Sequence, residues 1–264
     1  METNNIERHF ARIGARVEIV APRRFRAGFG IDIVHDSRGE IFSLEVPENE
    51  RPGLEVSPLE VRKDLRHLLL LVRRVNQDGE REKDKYLCGH DERHWFVAGV
   101  ENGATNVQTA MEALRPDGVT PTVNRFVRAK DRFRRKNEVF VRQGEWFFFP
   151  QPDVEAPRSL ILRNEPLSRG LGSKPHWCEE VYRFGGEAVY VCTRYPRGVT
   201  YKEYCEILEK EAKASNWQWR SMLRDARVYA RGRISHPDHK TIVLPVWHEV
   251  HMNEEHNVGV VFLD

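Results

Sequence analysis

Short apolar runs, many of them alternating with polar residues, recur along this chain and predict strands more often than helices. Residues 17–22 and 28–34 read as short strands. Over 40–46, Ile41, Ser43 and Glu45 alternate with Phe42, Leu44 and Val46, and the turn-forming residues 35–39 make 28–46 a hairpin. The uninterrupted run Leu68, Leu69, Leu70, Leu71, Val72 predicts a buried strand, followed by a polar loop at 76–85. Tyr86, Leu87 and Cys88, and then residues 94–100, are again strand-like. Strands are also predicted over 187–193, 228–234 and 241–252.

Helical signals are fewer. Ser57-Pro58-Leu59-Glu60 has the form of a capping box with proline at the first helical position, which predicts a short helix there. Thr105 opens a helix whose Val107, Ala110, Met111 and Leu114 share a face, and Pro116 and Gly118 stop it. Residues 123–137 read as a basic amphipathic helix with Phe126, Phe133 and Phe140 seven apart. Residues 138–142 and 145–149 flank Gln143-Gly144 as a hairpin turn, which would set Arg142 opposite Glu145. Thr200 and Glu203 form a second capping box, and its helix carries Tyr201, Tyr204, Cys205 and Leu208 on one face. Asn216 is placed to cap a further short helix reaching about residue 225.

With no regular strand–helix alternation, the expected class is α+β, mainly antiparallel sheet with a few short helices, arranged as two subdomains. Pro150, Pro152 and Pro157 punctuate the loop 150–158. The boundary expected there separates an N-terminal α+β domain, 1–149, holding the basic helix and hairpin, from a C-terminal one, 159–264, with a histidine-rich terminal strand.

Composition changes this picture little. The 264 residues are 40% hydrophobic and 31% charged, as in ordinary globular chains. No apolar run approaches the ~18–20 residues of a membrane span, and the first residues lack the apolar core of a secretory signal. A cytoplasmic protein without a membrane partner is therefore expected. Cys88, Cys178, Cys192 and Cys205 form no CxxC pair and are expected as reduced, buried thiols.

Charge is more informative. The formal net is +2, yet residues 122–142 set eight basic side chains against Asp131 and Glu138, a local net of +6 that leaves the remainder at −4. Arg125, Arg128, Arg132, Arg134, Arg135 and Lys136 are the expected phosphate contacts for a nucleic acid, with Trp146 or a phenylalanine as a stacking face. Arg23, Arg24 and Arg26 form a smaller basic knot. The function expected first is nucleic-acid binding through the basic helix.

Histidine carries the second line of chemistry. Five of the eleven histidines lie between 236 and 256: His236, His239, His248, His251 and His256. On one strand over 241–252, His248 falls on the apolar face as a core residue and His251 on the polar face. His239 and His248 would then be roughly 30 Å apart, too far to share an ion. What remains is the compact turn His236-Pro237-Asp238-His239. Joined by His176 or Glu180, it offers the ligands of a divalent metal such as zinc that activates water. Alternatively, an imidazole oriented by Asp238 acts as a general base. His236, Asp238 and His239 are thus the candidate catalytic residues, and His176, His236 and His239 the candidate metal ligands.

Weaker patterns are Cys88-x-His90 with His176-x-Cys178 as a closed zinc set, and His90 with His94, whose spacing matches a zinc-protease helix but whose intervening residues do not. Residues 164–176, rich in Gly, Ser, Arg and Lys, are compatible with an anion but carry no Walker signature. The alternatives to nucleic-acid binding are a metal-dependent hydrolase, most naturally a nuclease, and a non-catalytic structural or interaction subunit.

Overall fold

The computed structural model describes residues 3–22, 28–75, 79–168 and 174–255, so the basic knot at 23–26, most of the glycine-rich stretch at 169–173 and His256 lie outside the described residues. Helix α1 (Thr3–Arg12) precedes a three-stranded sheet of β1 (Val17–Val20), β2 (Gly30–Asp36) and β3 (Gly39–Glu45). Its order is β1-β3-β2, with β1 parallel to β3. Next comes an antiparallel meander of β4 (Glu55–Arg62), β5 (His67–Val75), β6 (Arg81–Asp91) and β7 (His94–Val100). Helices α2 (Val107–Ala113) and α3 (Val119–Phe126) lead to the hairpin β8 (Val141–Gln143) and β9 (Trp146–Pro150).

The remaining strands are β10 (Ile161–Leu167), β11 (His176–Phe184), β12 (Glu187–Cys192), β13 (Tyr195–Thr200), β14 (Arg220–Arg224), β15 (Arg227–Ser235) and β16 (Ile242–Met252), with helix α4 (Tyr201–Lys210) after β13. A six-stranded antiparallel sheet runs β10-β11-β15-β16-β9-β8, and a small sheet β13-β12-β14 is inserted between β11 and β15. The α+β class with mainly antiparallel sheet is what the strand patterning implied. The six-stranded sheet draws on both sides of the 150–158 loop, because β9 pairs with β16.

The leucine run in β5 is apolar throughout because both faces are covered. Leu68, Leu70 and Val72 face α1 and the first sheet, in a core with Phe10, Phe42 and Leu44. Leu69 faces α2, packed with Val107 and Ala110. A second principal core, with Phe148, Cys178, Val181, Ala230, Ile234 and Leu244, covers one face of the six-stranded sheet.

Several local expectations are corrected. Ser57 to Glu60 lies in β4, not in a helix. Pro58 is tolerated because β4 is an edge strand with a bulge after it, and the Glu60 carboxylate instead accepts the backbone N–H of Val107 at the start of α2. That helix is capped by Asn106, one residue later than expected. The stretch 123–137 is not one helix. α3 ends at Phe126, a short 3-10 turn spans Ala129–Asp131, and the phenylalanines diverge: Phe126 is exposed, Phe133 meets Arg115, and Phe140 is buried.

The β8–β9 turn is shifted by one residue. Gln143 pairs with Trp146 and Arg142 with Phe147, so Gly144-Glu145 forms the turn. Gly144 supplies the positive φ of 58° that a primed hairpin turn requires at its first central position. Asn216 ends a 3-10 turn, and residues 220–224 form the strand β14. The capping box at Thr200 and Glu203 does open α4, with both reciprocal bonds made.

The β6–β7 turn ties the four-stranded sheet to the six-stranded one. Glu92, at φ 52°, accepts the Lys240 backbone N–H at 2.5 Å and pairs with Arg135. Asp91 accepts from Arg142 at 3.0 Å and lies 3.2 Å from Arg135. Truncating Glu92, whose side chain is only 9% exposed, leaves a guanidinium and a backbone N–H short of their acceptor. Glu92→Ala is expected to lower unfolding free energy by about 2 kcal/mol, read by urea denaturation. An unchanged midpoint would show that this clamp is dispensable.

Candidate metal centre

Antiparallel pairing of β11 with β15 sets Trp177 opposite Ser235, and so brings His176 beside the loop that follows β15. That loop carries His236 and His239. The three imidazoles stack face to face, with ring centroids 4.2 Å apart for His176 and His236, 4.7 Å for His236 and His239, and 5.4 Å for His176 and His239. One potential ligand atom from each lies within 4.8 Å of the others, the single such group of histidine, cysteine and carboxylate side chains among the described residues.

The β8–β9 hairpin forms the wall of this cluster. A Cβ on Gly144 would stand 2.7 Å from His239 Nε2 and 3.3 Å from His176 Nε2. Buried Gln143 donates to the carbonyl of Lys240 at 2.7 Å, fixing the loop beyond His239. The indole of Trp146 meets His176 edge-on at 6.4 Å.

His176 is 1% exposed. Burial and then the neighbouring imidazoles hold it neutral, with its pKa lowered to about 3. His239 is lowered to about 4, chiefly by burial and then by His236, with Asp91 opposing. Both nitrogens of His176 and Nδ1 of His239 are buried with no hydrogen-bond partner among the described residues. Neutral imidazoles with unengaged lone pairs are the donor form a divalent cation takes, and all-nitrogen sets suit zinc. His236 is engaged differently. Its Nδ1 accepts the Asp238 backbone N–H at 3.1 Å, and its Nε2 lies 3.2 Å from the Lys174 carbonyl, so an ion there would replace one of these bonds.

The three candidate ligands therefore lie together. Two other candidates are spent elsewhere. The Asp238 carboxylate, rather than orienting an imidazole, accepts from Lys174 at 2.8 Å. Burial alone would raise its pKa, but the Lys174 ammonium outweighs this and holds it low. Glu180, the alternative third ligand, receives both Nε and an Nη of Arg231, at 2.8 and 2.6 Å.

The Cys88/His90 and His176/Cys178 pairs do not meet. Cys88 and Cys178 belong to different cores, and burial pushes the Cys178 thiol up to about 12. His90 and His94 flank a strand turn instead of lying on a helix, and His94 Nδ1 sits 2.6 Å from Glu40. His248 is the expected core residue, 3% exposed and bonded to the Val246 carbonyl. His251 sits exposed beside Glu249.

The basic segment is less free than its charge suggests. Arg132 closes the end of α3 by donating to the carbonyls of Val127 and Asn124. Arg134 pairs with Asp131, and Arg135 with Asp91 and Glu92. Arg125, Arg128 and Lys136 stay exposed, Arg125 over the ring of Phe126.

Sequence reasoning does not place Gly144, Gln143 or Lys174 at this centre, and it singles out Trp146 only as a stacking face for nucleic acid. The glycine of a tight turn was the one available signal, and it named a turn without naming its neighbours. Together the fold and the site define an α+β protein with a partly buried three-histidine centre. No family model, curated protein or solved structure matches the chain. No helix among the described residues is long and apolar enough to cross a membrane.

Gly144→Ala would force both a positive φ and a close contact with His239. It is expected to lower unfolding free energy by about 1–3 kcal/mol in urea denaturation. A neutral result would show that the hairpin does not hold the rings.

Proposed function

We propose that this chain is a metal-dependent hydrolase that cleaves phosphodiesters in nucleic acid, with His176, His236 and His239 as ligands of a zinc-like divalent ion. The observation that carries the reading is the convergence of three imidazoles, with three nitrogens of His176 and His239 buried without a partner among the described residues. A bound ion of this kind supplies an activated water at neutral pH. The chain's own residues contribute the rest. Gly144 leaves room for the rings, Gln143 and Glu92 fix the loop from both sides of Lys240, and Lys174 beside Asp238 sets a cation at the rim, where an anionic substrate gains from it.

Nucleic acid is the favoured substrate because Arg125, Arg128 and Lys136 remain exposed on the basic segment. The same cations support a second reading, nucleic-acid binding without hydrolysis.

The test uses protein purified without a histidine tag. Elemental analysis is expected to find one zinc-like ion per chain. A saturating ion, at about 100 times its Kd, is expected to stabilise the fold by about 2.7 kcal/mol. Cleavage of a fluorogenic oligonucleotide should disappear in chelator, return with metal, and fall on the order of 100-fold or more in His239→Ala. Absence of metal together with unchanged melting in chelator overturns the metal centre. Metal binding without cleavage of single- or double-stranded substrate overturns the hydrolase and leaves a structural ion.

A further inference from the structure

On the opposite face of the same strand ends lies a second feature. A cleft of about 220 Å³ is lined by Arg163, Asn164, Trp177, Glu179, Arg233 and Ser235. Trp177 is 41% exposed although it neighbours the most buried histidine of the cluster. An indole this open, in a concave site with two arginines, offers a flat face to a planar ligand and cations to its charged group.

The arginines differ. Arg163 lies 3.4 Å from Glu180 with its side chain 77% exposed. Arg233 is exposed, and its guanidinium has no carboxylate within ion-pair distance among the described residues. Glu179 is held in place: its Oε2 accepts the Arg233 backbone N–H at 2.8 Å and lies across Gly232, where a Cβ would come within 2.6 Å of it. Its second carboxylate oxygen can accept N–H groups from a base edge. Aromatic face, cations and a fixed acceptor together match a nucleotide better than a simple anion, which has no use for an indole or a carboxylate.

We infer that this cleft binds one nucleotide of a single-stranded nucleic acid, its base on Trp177 and its phosphate on Arg233 and Arg163. The inference rests on the nuclease reading only in its choice of ligand, and it makes the face opposite the histidines a substrate-holding subsite.

The experiment is fluorescence anisotropy of a 5′-labelled single-stranded oligodeoxynucleotide, run in chelator so that neither metal nor cleavage enters. Saturable binding is expected. Trp177→Leu should weaken it roughly tenfold, and Trp177→Phe should retain it. Arg233→Ala should weaken it and reduce the salt slope by about 0.7. Duplex of the same sequence should compete poorly, and inorganic phosphate more poorly still.

No saturable binding, or binding that ignores both Trp177→Leu and Arg233→Ala in variants with wild-type circular dichroism, overturns the inference. Equal competition by duplex or by phosphate does so too. Should Trp177→Leu fail to fold, Arg233→Ala, on an exposed side chain, decides alone. Failure here leaves the metal centre standing, and a metal-free, inactive protein that still binds through Trp177 leaves this cleft standing.

Discussion

The two carboxylates of the β6–β7 turn hold the molecule's parts in register. Asp91 and Glu92 leave the four-stranded sheet and meet Arg135, Arg142 and the Lys240 backbone on the six-stranded side. Carboxylates this covered are stable only when cations and N–H groups surround them. The need runs both ways, because Arg135 and Arg142 belong to the strongly basic segment and are partly neutralised here. Much of that segment's charge is therefore structural. Its partners lie some forty to fifty residues upstream, which is why a local count of +6 overstated the free cations. Lys240 follows His239 directly, so the clamp on its backbone also anchors the histidine loop.

Sequence patterning was most legible where burial was simple. The hairpin of β2 and β3 alternates, and β5 is apolar throughout because it is covered on both faces. It was least legible where strands are exposed or interrupted. β10 contains Arg163, Asn164, Glu165 and Pro166 and lies at a sheet edge, and most of β14 is exposed, so neither presents an apolar period. The Ser57–Glu60 box has the composition of a helix start, yet pairing with β5 gives its backbone ladder partners along one edge. Tertiary pairing overrode a local signal worth about 1 kcal/mol.

The candidate centre divides in the same way. His236 and His239 were visible because a short turn fixes their separation. His176 stood as one candidate beside Glu180, since only the strand register brings it to that turn sixty residues later. The cluster is costly as it stands. A buried polar nitrogen without a partner costs about 1–3 kcal/mol, and ring stacking between neutral imidazoles returns only part of that. An apolar trio would pack here at lower cost. Local rules broken inside an otherwise consistent fold mark the positions where function is the better explanation.

His176 faces inward while Trp177 faces out by the ordinary alternation of a strand, and an irregularity follows directly after them. Side chains alternate along a strand, so residues three apart normally point to opposite faces. Cys178 and Val181 nevertheless share one core. Between the pairs Cys178–Ile234 and Glu180–Arg231, β11 advances two residues and β15 three, so the extra residue of this bulge lies on β15, where Gly232 and Arg233 stand opposite Glu179. Gly232 supplies the positive φ of 83° within that bulge, and any Cβ there would collide with the Glu179 carboxylate. Alternation along β11, beside a bulge at Gly232, thus sorts the chemistry of the two faces: imidazole toward the core side, indole and arginines toward the open side.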